Sequence, residues 1–117
     1  MKKVHKTIIF NSKKIENIIT KINEVLGNKK PVLGIANQYE KKYLLFFGKA
    51  FVITPDKKTI VLKVSSTHRK HEFFEGGPGE RDASGITTYF CDIKLVIDLI
   101  KKRAEYTVKK DEFYQGV

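Results

Sequence analysis

Residues 15–26 contain the pattern that most constrains how this chain can fold. Apolar side chains recur there at helical spacing, at Ile15, Ile18, Ile19, Ile22, Val25 and Leu26. This period predicts one amphipathic helix. Asn11 and Ser12 precede the stripe as candidate N-caps, and Gly27 follows as a residue suited to a helix end. A helix with one apolar face has to bury that face, so the rest of the chain must supply a partner for it.

Short apolar runs predict that this partner is a β-sheet. Strand-like segments occur at residues 6–10, 32–36, 43–47, 50–54, 59–64 and 86–91. The segment 43–47 is apolar throughout, which is typical of a central strand buried on both sides. Between 50–54 and 59–64 stands the turn-like sequence Pro-Asp-Lys-Lys, so these two segments are predicted to pair as a β-hairpin.

Residues 92–104 predict a second helix, capped by Asp92. Its apolar stripe is Ile93, Val96, Ile97, Ile100 and Ala104, widened by Leu95 and Leu99. Residues 106–108 are a candidate short strand, and the tail after about residue 109 is expected to be mobile unless Phe113 and Tyr114 dock.

The predicted fold is an α+β domain of residues 1–117, with an antiparallel sheet of four to five strands and two helices packed on one face. Its predicted core includes Ile18, Ile22, Leu45, Phe47, Val61, Val96 and Ile100.

The composition indicates a soluble cytoplasmic protein. Hydrophobic residues make up 41% of the chain, which is a globular figure, and the single cysteine excludes an intrachain disulfide. No apolar run approaches the roughly 20 residues that span a bilayer. The apolar stretch near the N-terminus is also too short for a signal peptide.

The net charge of +10 points to a polyanionic partner. The first 64 residues carry 14 lysines against four acidic residues, whereas the remainder of the chain is balanced. We therefore predict a continuous basic surface that binds RNA, DNA or a nucleoprotein. Its expected members are Lys13, Lys14, Lys21, Lys29, Lys30, Lys41 and Lys42. The alternative is a protein-interaction module whose lysines only solvate the surface or meet an acidic protein.

Residues 65–90 differ in composition from the rest of the chain, with two histidines, two arginines and four glycines. Within this segment, residues 68–85 predict a long loop that projects from the edge of the sheet and orders on a partner. Specific contacts are expected from His68, Arg69, His71 and Arg81. Phe73 and Phe74 are candidate stacking or interface residues, and Thr87 and Tyr89 are expected to share one strand face and contact a phosphate and a base.

These patterns favour a non-enzymatic binding protein. Its small size and Lys/Ile-rich composition would suit a phage or mobile-element protein, including an inhibitor of a nucleic-acid-guided host enzyme. The alternative is a metal-independent, toxin-like ribonuclease in which His68 and His71 act as general base and acid and Arg81 stabilises charge. No metal or other cofactor is predicted, because the pair His68 and His71 has no second ligand pair at zinc-site spacing.

Overall fold

The protein is built mostly from β-strands. The computed structural model describes residues 2–54, 56, 58–79 and 81–116. In chain order, the described elements are β1 Lys2–Ile9, α1 Ile15–Leu26, β2 Leu33–Gln38, β3 Lys41–Phe46, β4 Lys49–Ile53, β5 Thr59–Phe74, β6 Ala83–Asp98 and β7 Arg103–Gly116. Within this part of the chain, no helix is long and apolar enough to cross a membrane.

The larger sheet is four-stranded and antiparallel, with the order β1-β7-β6-β5. Its registers run without interruption. For example, Leu95 of β6 lies opposite Leu62 of β5 on one side and Tyr106 of β7 on the other. Because side chains alternate between the two faces of a strand, residue parity assigns each side chain to a face along the whole sheet.

The smaller sheet is a three-stranded meander with the order β2-β3-β4. Its turns are tight: Tyr39 and Glu40 have φ of 52° and 60°, and Phe47 and Gly48 have φ of 49° and 79°. Positive φ at both central residues is the signature of the type I′ turn, whose twist matches that of the strands it joins. The prediction that residues 43–47 form a central strand is confirmed for β3. The predicted burial on both sides is wrong, because Tyr43 and Leu45 are half-buried.

The core lies where α1, the smaller sheet and one face of the larger sheet meet. We call this covered face of the larger sheet the inner face and the opposite one the outer face. The buried apolar residues include Ile8, Ile18, Ile22, Leu33, Leu44, Phe46, Leu62, Leu95, Ile97 and Ala104. Their burial supplies the hydrophobic stabilisation of the fold.

The predicted first helix is confirmed, but neither of the candidate N-caps, Asn11 and Ser12, is its N-cap. Lys14 is the N-cap and makes no side-chain capping bond, while the Ser12 hydroxyl accepts from the Lys14 backbone N–H at 3.1 Å. Gly27 ends the helix at φ 63°, and its N–H donates to the Asn23 carbonyl. The Asn23 side chain anchors the helix to the smaller sheet, because its Oδ1 accepts from the N–H groups of Val32 and Leu33 at 2.9 and 3.0 Å.

The predicted second helix is wrong. Its residues form the end of β6, the turn at 99–102 and the start of β7. The segment 93–97 fits a strand as well as a helix, since Ile93, Leu95 and Ile97 alternate with less buried positions. Hydrogen-bonded pairing with β5 and β7 makes this segment a strand rather than a helix. Asp98 Oδ1 then accepts from the N–H groups of Ile100 and Lys101, which closes the turn. With one helix and two sheets among the described residues, the expected sheet carrying two helices on one face is also wrong.

The predicted hairpin between 50–54 and 59–64 is wrong as well. β4 pairs with β3 in the smaller sheet, whereas β5 pairs with β6 in the larger one. The chain therefore crosses from one sheet to the other between these strands. Pro55 and Lys57 of the predicted turn lie outside the described residues.

The predicted long loop is a β-hairpin arm. β5 continues to Phe74, β6 begins at Ala83, and only residues 75–82 connect them. The segment after residue 109, expected as a mobile tail, is the end of β7 and pairs with β6 as far as Gly116. We call the three-stranded extension of residues 65–74, 83–92 and 109–116 the arm. It makes the molecule 68 Å long against 31 and 23 Å in the other directions.

Five of the seven predicted core residues are not buried. Only Ile18 and Ile22 are confirmed. Val61 and Val96 lie opposite each other on the outer face, where Val61 is exposed and Val96 half-buried. Phe47 and Ile100 occupy turns and are exposed. Leu45 alternates with the buried Leu44 and Phe46 and is half-buried.

Candidate functional site

The outer face of the larger sheet carries two pairs of lysines in direct cross-strand register. Lys63 of β5 lies opposite Lys94 of β6, and Lys3 of β1 lies opposite Lys109 of β7. Side chains directly opposite each other have Cβ atoms about 4.5–5.5 Å apart, and like charges at such positions destabilise a sheet. We call these four residues the lysine field.

The lysine field occupies two neighbouring rows of the sheet. The first row contains Lys63 and Lys94, and the second contains Lys109 and Lys3. With strands about 4.8 Å apart and residues on one face about 7 Å apart, the field covers roughly 14 by 7 Å. An open cavity of about 480 Å³ lies over it.

Acidic side chains compensate this charge only in part. Asp92 lies opposite Lys109 and lines the same cavity. Among the described residues, no carboxylate comes within 4 Å of any of the four lysine ammonium groups. Four cations therefore lie near two carboxylates on this solvent-facing surface, Asp92 and, two residues beyond Lys109 on β7, Asp111. The net charge of this group is positive, and such a surface attracts anions.

The neighbouring part of the outer face is neutralised by its own contacts. Glu105 accepts hydrogen bonds from the Thr7 hydroxyl at 2.9 Å and from Arg103 Nε at 2.7 Å, and His5 Nε2 lies 2.6 Å from the same carboxylate. The Thr7 hydrogen bond, followed by the hydrogen bond and charge of Arg103, holds the pKa of Glu105 below its ordinary value despite some desolvation. The carboxylate remains ionised and offsets the charge of Arg103 beside it, so these rows add little to the positive charge of the lysine field.

An apolar stripe continues from the lysine field along the outer face of the arm. It consists of Phe90, Phe113, Ile86 and Phe73. Phe113 lies opposite Thr88, which places it diagonally between Phe90 and Ile86, while Phe73 is diagonal to Ile86 on the other side. We call this set the aromatic stripe. Arg69, opposite Thr88, stands beside it.

The inner face of the arm has a different character. An open cavity of about 720 Å³ is lined by residues that include Ser66, His68, Tyr89, Lys110 and Glu112. The rings of His68 and Tyr89 stack with centroids 6.2 Å apart. Tyr114 covers Gly85 so closely that a Cβ there would lie 2.4 Å from the tyrosine hydroxyl. The ring therefore fills the space that the glycine leaves in the strand.

The structure divides the predicted site residues of the arm between its two faces. Arg69, His71 and Phe73 lie on the outer face, whereas His68, Thr87 and Tyr89 lie on the inner face. Thr87 and Tyr89 do share a face, but Thr87 is buried. Arg81 is exposed in the connection between β5 and β6. The side chain of Phe74 is outside the described part of the structure.

The two histidines considered as an acid–base pair point in opposite directions. They are three residues apart on β5, so the sheet itself separates His68 from His71. The arrangement does not bring both imidazoles to one scissile bond. The described residues also contain no cluster of three or more His, Cys, Asp or Glu side chains able to hold a metal ion.

The lysines predicted to form a continuous surface lie at different places around α1. Lys13, Lys14 and Lys42 line one cavity at the start of the helix, where Lys42 Nζ is 3.7 Å from a Glu16 carboxylate oxygen. Lys29 and Lys30 follow the other end of the helix, roughly 18 Å away for twelve residues. Lys21 lies on the exposed helix surface and Lys41 at the start of β3.

The lysine field was missed by sequence reasoning because its members are far apart in the chain. A local signal does exist: Lys63 stands between Leu62 and Val64, and Lys94 between Ile93 and Leu95, as expected for outward positions of strands. Whether these side chains come together depends on which strands pair and in what register.

No protein-family model, curated protein or solved structure matches this chain.

Proposed function

We propose that this protein binds nucleic acid through the lysine field on the outer face, without cleaving it. The observation that supports this most is the direct pairing of lysine with lysine in two adjacent rows. Such pairs oppose folding. A polyanion bound over them would attract every lysine and so offset the repulsion between them. The overall charge of +10 adds long-range attraction to the same partner.

The dimensions of the lysine field favour a chain of phosphates over a single small anion. Four ammonium groups spread over roughly 14 by 7 Å cannot all reach one phosphate, but successive phosphates of a strand can each meet one. Lysine acts as a point charge without a preferred bidentate geometry, which suits contacts to a backbone rather than to base edges. Nucleic acid exposed within a nucleoprotein, such as a nucleic-acid-guided enzyme, would offer the same chemistry.

The proposal is tested by reversing charge on two surfaces in parallel. A fluorescein-labelled 15-nucleotide RNA or DNA is titrated with wild type, with Lys63→Glu/Lys109→Glu and with Lys13→Glu/Lys14→Glu, and anisotropy is followed from 50 to 300 mM salt. Both double variants change the net charge equally. We expect the first to lose most of the affinity and to lower the slope of log Kd against log salt by about 1.4 for a single strand. The second should keep the wild-type slope.

The outcomes separate the surfaces. Loss confined to Lys13→Glu/Lys14→Glu would place the interface at the start of α1 and contradict the assignment to the outer face. A wild-type protein that binds neither RNA nor DNA at 50 mM salt would contradict the function itself and leave an acidic protein surface as the partner.

The absence of cleavage is tested with the same RNA in EDTA. We expect the RNA to remain intact on a denaturing gel, because His68 and His71 lie on opposite faces of β5. Cleavage that disappears in His68→Ala/His71→Ala while RNA binding persists would replace the proposed function with a metal-independent ribonuclease.

A further inference from the structure

We propose that the ligand is single-stranded and that its unpaired bases stack on Phe90 and Phe113 of the aromatic stripe. This inference rests on the proposed function, since the lysine field is taken to hold the phosphates. It goes further by assigning the bases a site and by naming the conformation of nucleic acid that the protein selects.

The rings are available for stacking. Phe90 is 42% exposed and Phe113 is 62% exposed, although both belong to hydrogen-bonded strands. On a face that neither α1 nor the smaller sheet covers, such exposure leaves a large part of each phenyl side chain accessible from solvent. Bases stack on aromatic side chains presented by a sheet in this way, and the contact is tolerant of sequence because every base has a π-face.

The positive charges lie where the phosphates of such a strand would pass. Phe90 precedes Asp92 by two residues on β6, so its row is about 7 Å from the row of Lys109 and Lys3. On the far side, Arg69 shares a row with Phe113. A strand that runs from the lysine field onto the arm therefore meets cations and then two rings, with the Asp111 carboxylate opposite Phe90 and the Arg69 cation in the row of Phe113.

A duplex could not engage the lysine field and the aromatic stripe together. Its bases are already stacked and paired, so only its backbone could meet the outer face, and the aromatic stripe would remain unoccupied or face charged phosphates. A second copy of the chain is also a poor occupant. A face-to-face dimer would bring together two outer faces of the same net positive charge, and like charges at an interface are unfavourable.

The first test uses tryptophan as a reporter of stacking. The chain contains no tryptophan, so Phe113→Trp introduces a single indole at the proposed site. We expect (dT)15 and (rU)15 to quench its emission on binding, while a 15-base-pair duplex that binds at low salt leaves the emission nearly unchanged. Quenching of similar depth by single strand and duplex would overturn the inference.

The second test removes the rings. Phe90→Ala/Phe113→Ala should weaken (dT)15 binding by about 25-fold or more, from about fivefold or more for each ring. Affinity for the duplex and the salt slope should stay at wild-type values, because the phosphate contacts remain. The matched control is Tyr39→Asn, which removes an aromatic ring that is 83% exposed in the turn between β2 and β3. Asparagine tolerates the positive φ of that position.

The readouts distinguish this inference from the proposed function. If the double alanine variant binds (dT)15 as well as wild type does, the stripe does not hold bases, although the lysine field can still bind phosphates. If wild type binds no nucleic acid at all, both ideas fail. Sedimentation that shows a wild-type dimer and a monomeric alanine variant with unchanged affinity would assign the stripe to self-association instead. Circular dichroism of each variant confirms that the fold is intact.

Discussion

At the scale of single residues, the lysine pairs set the stability of the sheet against the proposed binding function. A sheet gains from opposite charges across its strands and loses from like charges. Lys63 and Lys94 nevertheless face each other, and Lys3 faces Lys109, on a surface where an acidic residue would fit as easily. By contrast, Glu105 in the next rows is surrounded by donors, and its pKa is lowered by the Thr7 hydroxyl and by Arg103. In the neighbouring rows, the Glu105 carboxylate balances the positive charge of Arg103, whereas the lysines of the lysine field have no such ion pair among the described residues.

The change Lys63→Glu should therefore stabilise the protein while weakening nucleic-acid binding. It converts a like-charge pair into an attractive pair with Lys94, a gain of about 0.2–1 kcal/mol. Urea denaturation at low ionic strength measures the free energy of unfolding, and the gain should shrink as salt screens the pair.

The control for this prediction is Lys41→Glu, which makes the same change of charge opposite the neutral Gln38. It should leave stability within about 0.5 kcal/mol of wild type. A loss of stability in Lys63→Glu would mean that the Lys63 side chain makes a structural contribution that the like-charge argument omits.

At the scale of elements, α1 and the turn before β7 carry isoleucines with opposite roles. Ile22 sits in the middle of the apolar stripe of α1 and is fully buried against the sheets. Ile100, which helical spacing would also place in the core, is 65% exposed in the turn held by Asp98. The difference follows from β6 and β7 taking the place of the predicted helix.

Ile22→Ala should cost about 2–5 kcal/mol, because it leaves a cavity among packed side chains. Ile100→Ala should change the free energy of unfolding by no more than about 0.5 kcal/mol, as for an ordinary surface position. Denaturant unfolding of both variants measures the contrast. A large loss in Ile100→Ala would contradict the turn and favour the helix that the sequence pattern predicts.

At the scale of the whole molecule, the arm makes the protein far more extended than its length requires. The radius of gyration over Cα atoms is 19.8 Å, whereas a compact chain of this length would have about 13 Å. Little of the arm is buried, with Gly85 and Thr87 as its buried positions among the described residues. Strand pairing and the packing of Tyr114 over Gly85 hold its strands together. Under the proposed function, its length would give the outer face room for a strand of nucleic acid.

Small-angle X-ray scattering should give a radius of gyration near 20 Å for the free monomer, measured in about 300 mM salt to screen the net charge. The distance distribution should show a long tail extending toward the 68 Å length of the molecule. A value close to 13 Å would mean that the arm folds back onto the body and that the outer face is not continuous in solution.

The sequence by itself determined the features that depend on neighbouring residues. The stripe of α1 and the end of that helix at Gly27 are set by contacts within a few positions, so they could be read directly. The strand positions before residue 65 were also predicted to within a few residues. The composition of residues 65–90 drew attention to the segment that forms most of the arm.

Tertiary structure alone decided what depends on pairing. Residues 93–97 fit both a helix and a strand, and the apolar partners Leu62 and Tyr106 on either side of Leu95 select the strand. The lysine field joins four residues from four strands, which no local pattern connects. Strand pairing is non-local and its register sets the face of every side chain. For that reason His68 and His71 lie on opposite faces of the sheet, although they are close in sequence. Lys3 and Lys109 lie side by side, although more than a hundred residues separate them in the chain.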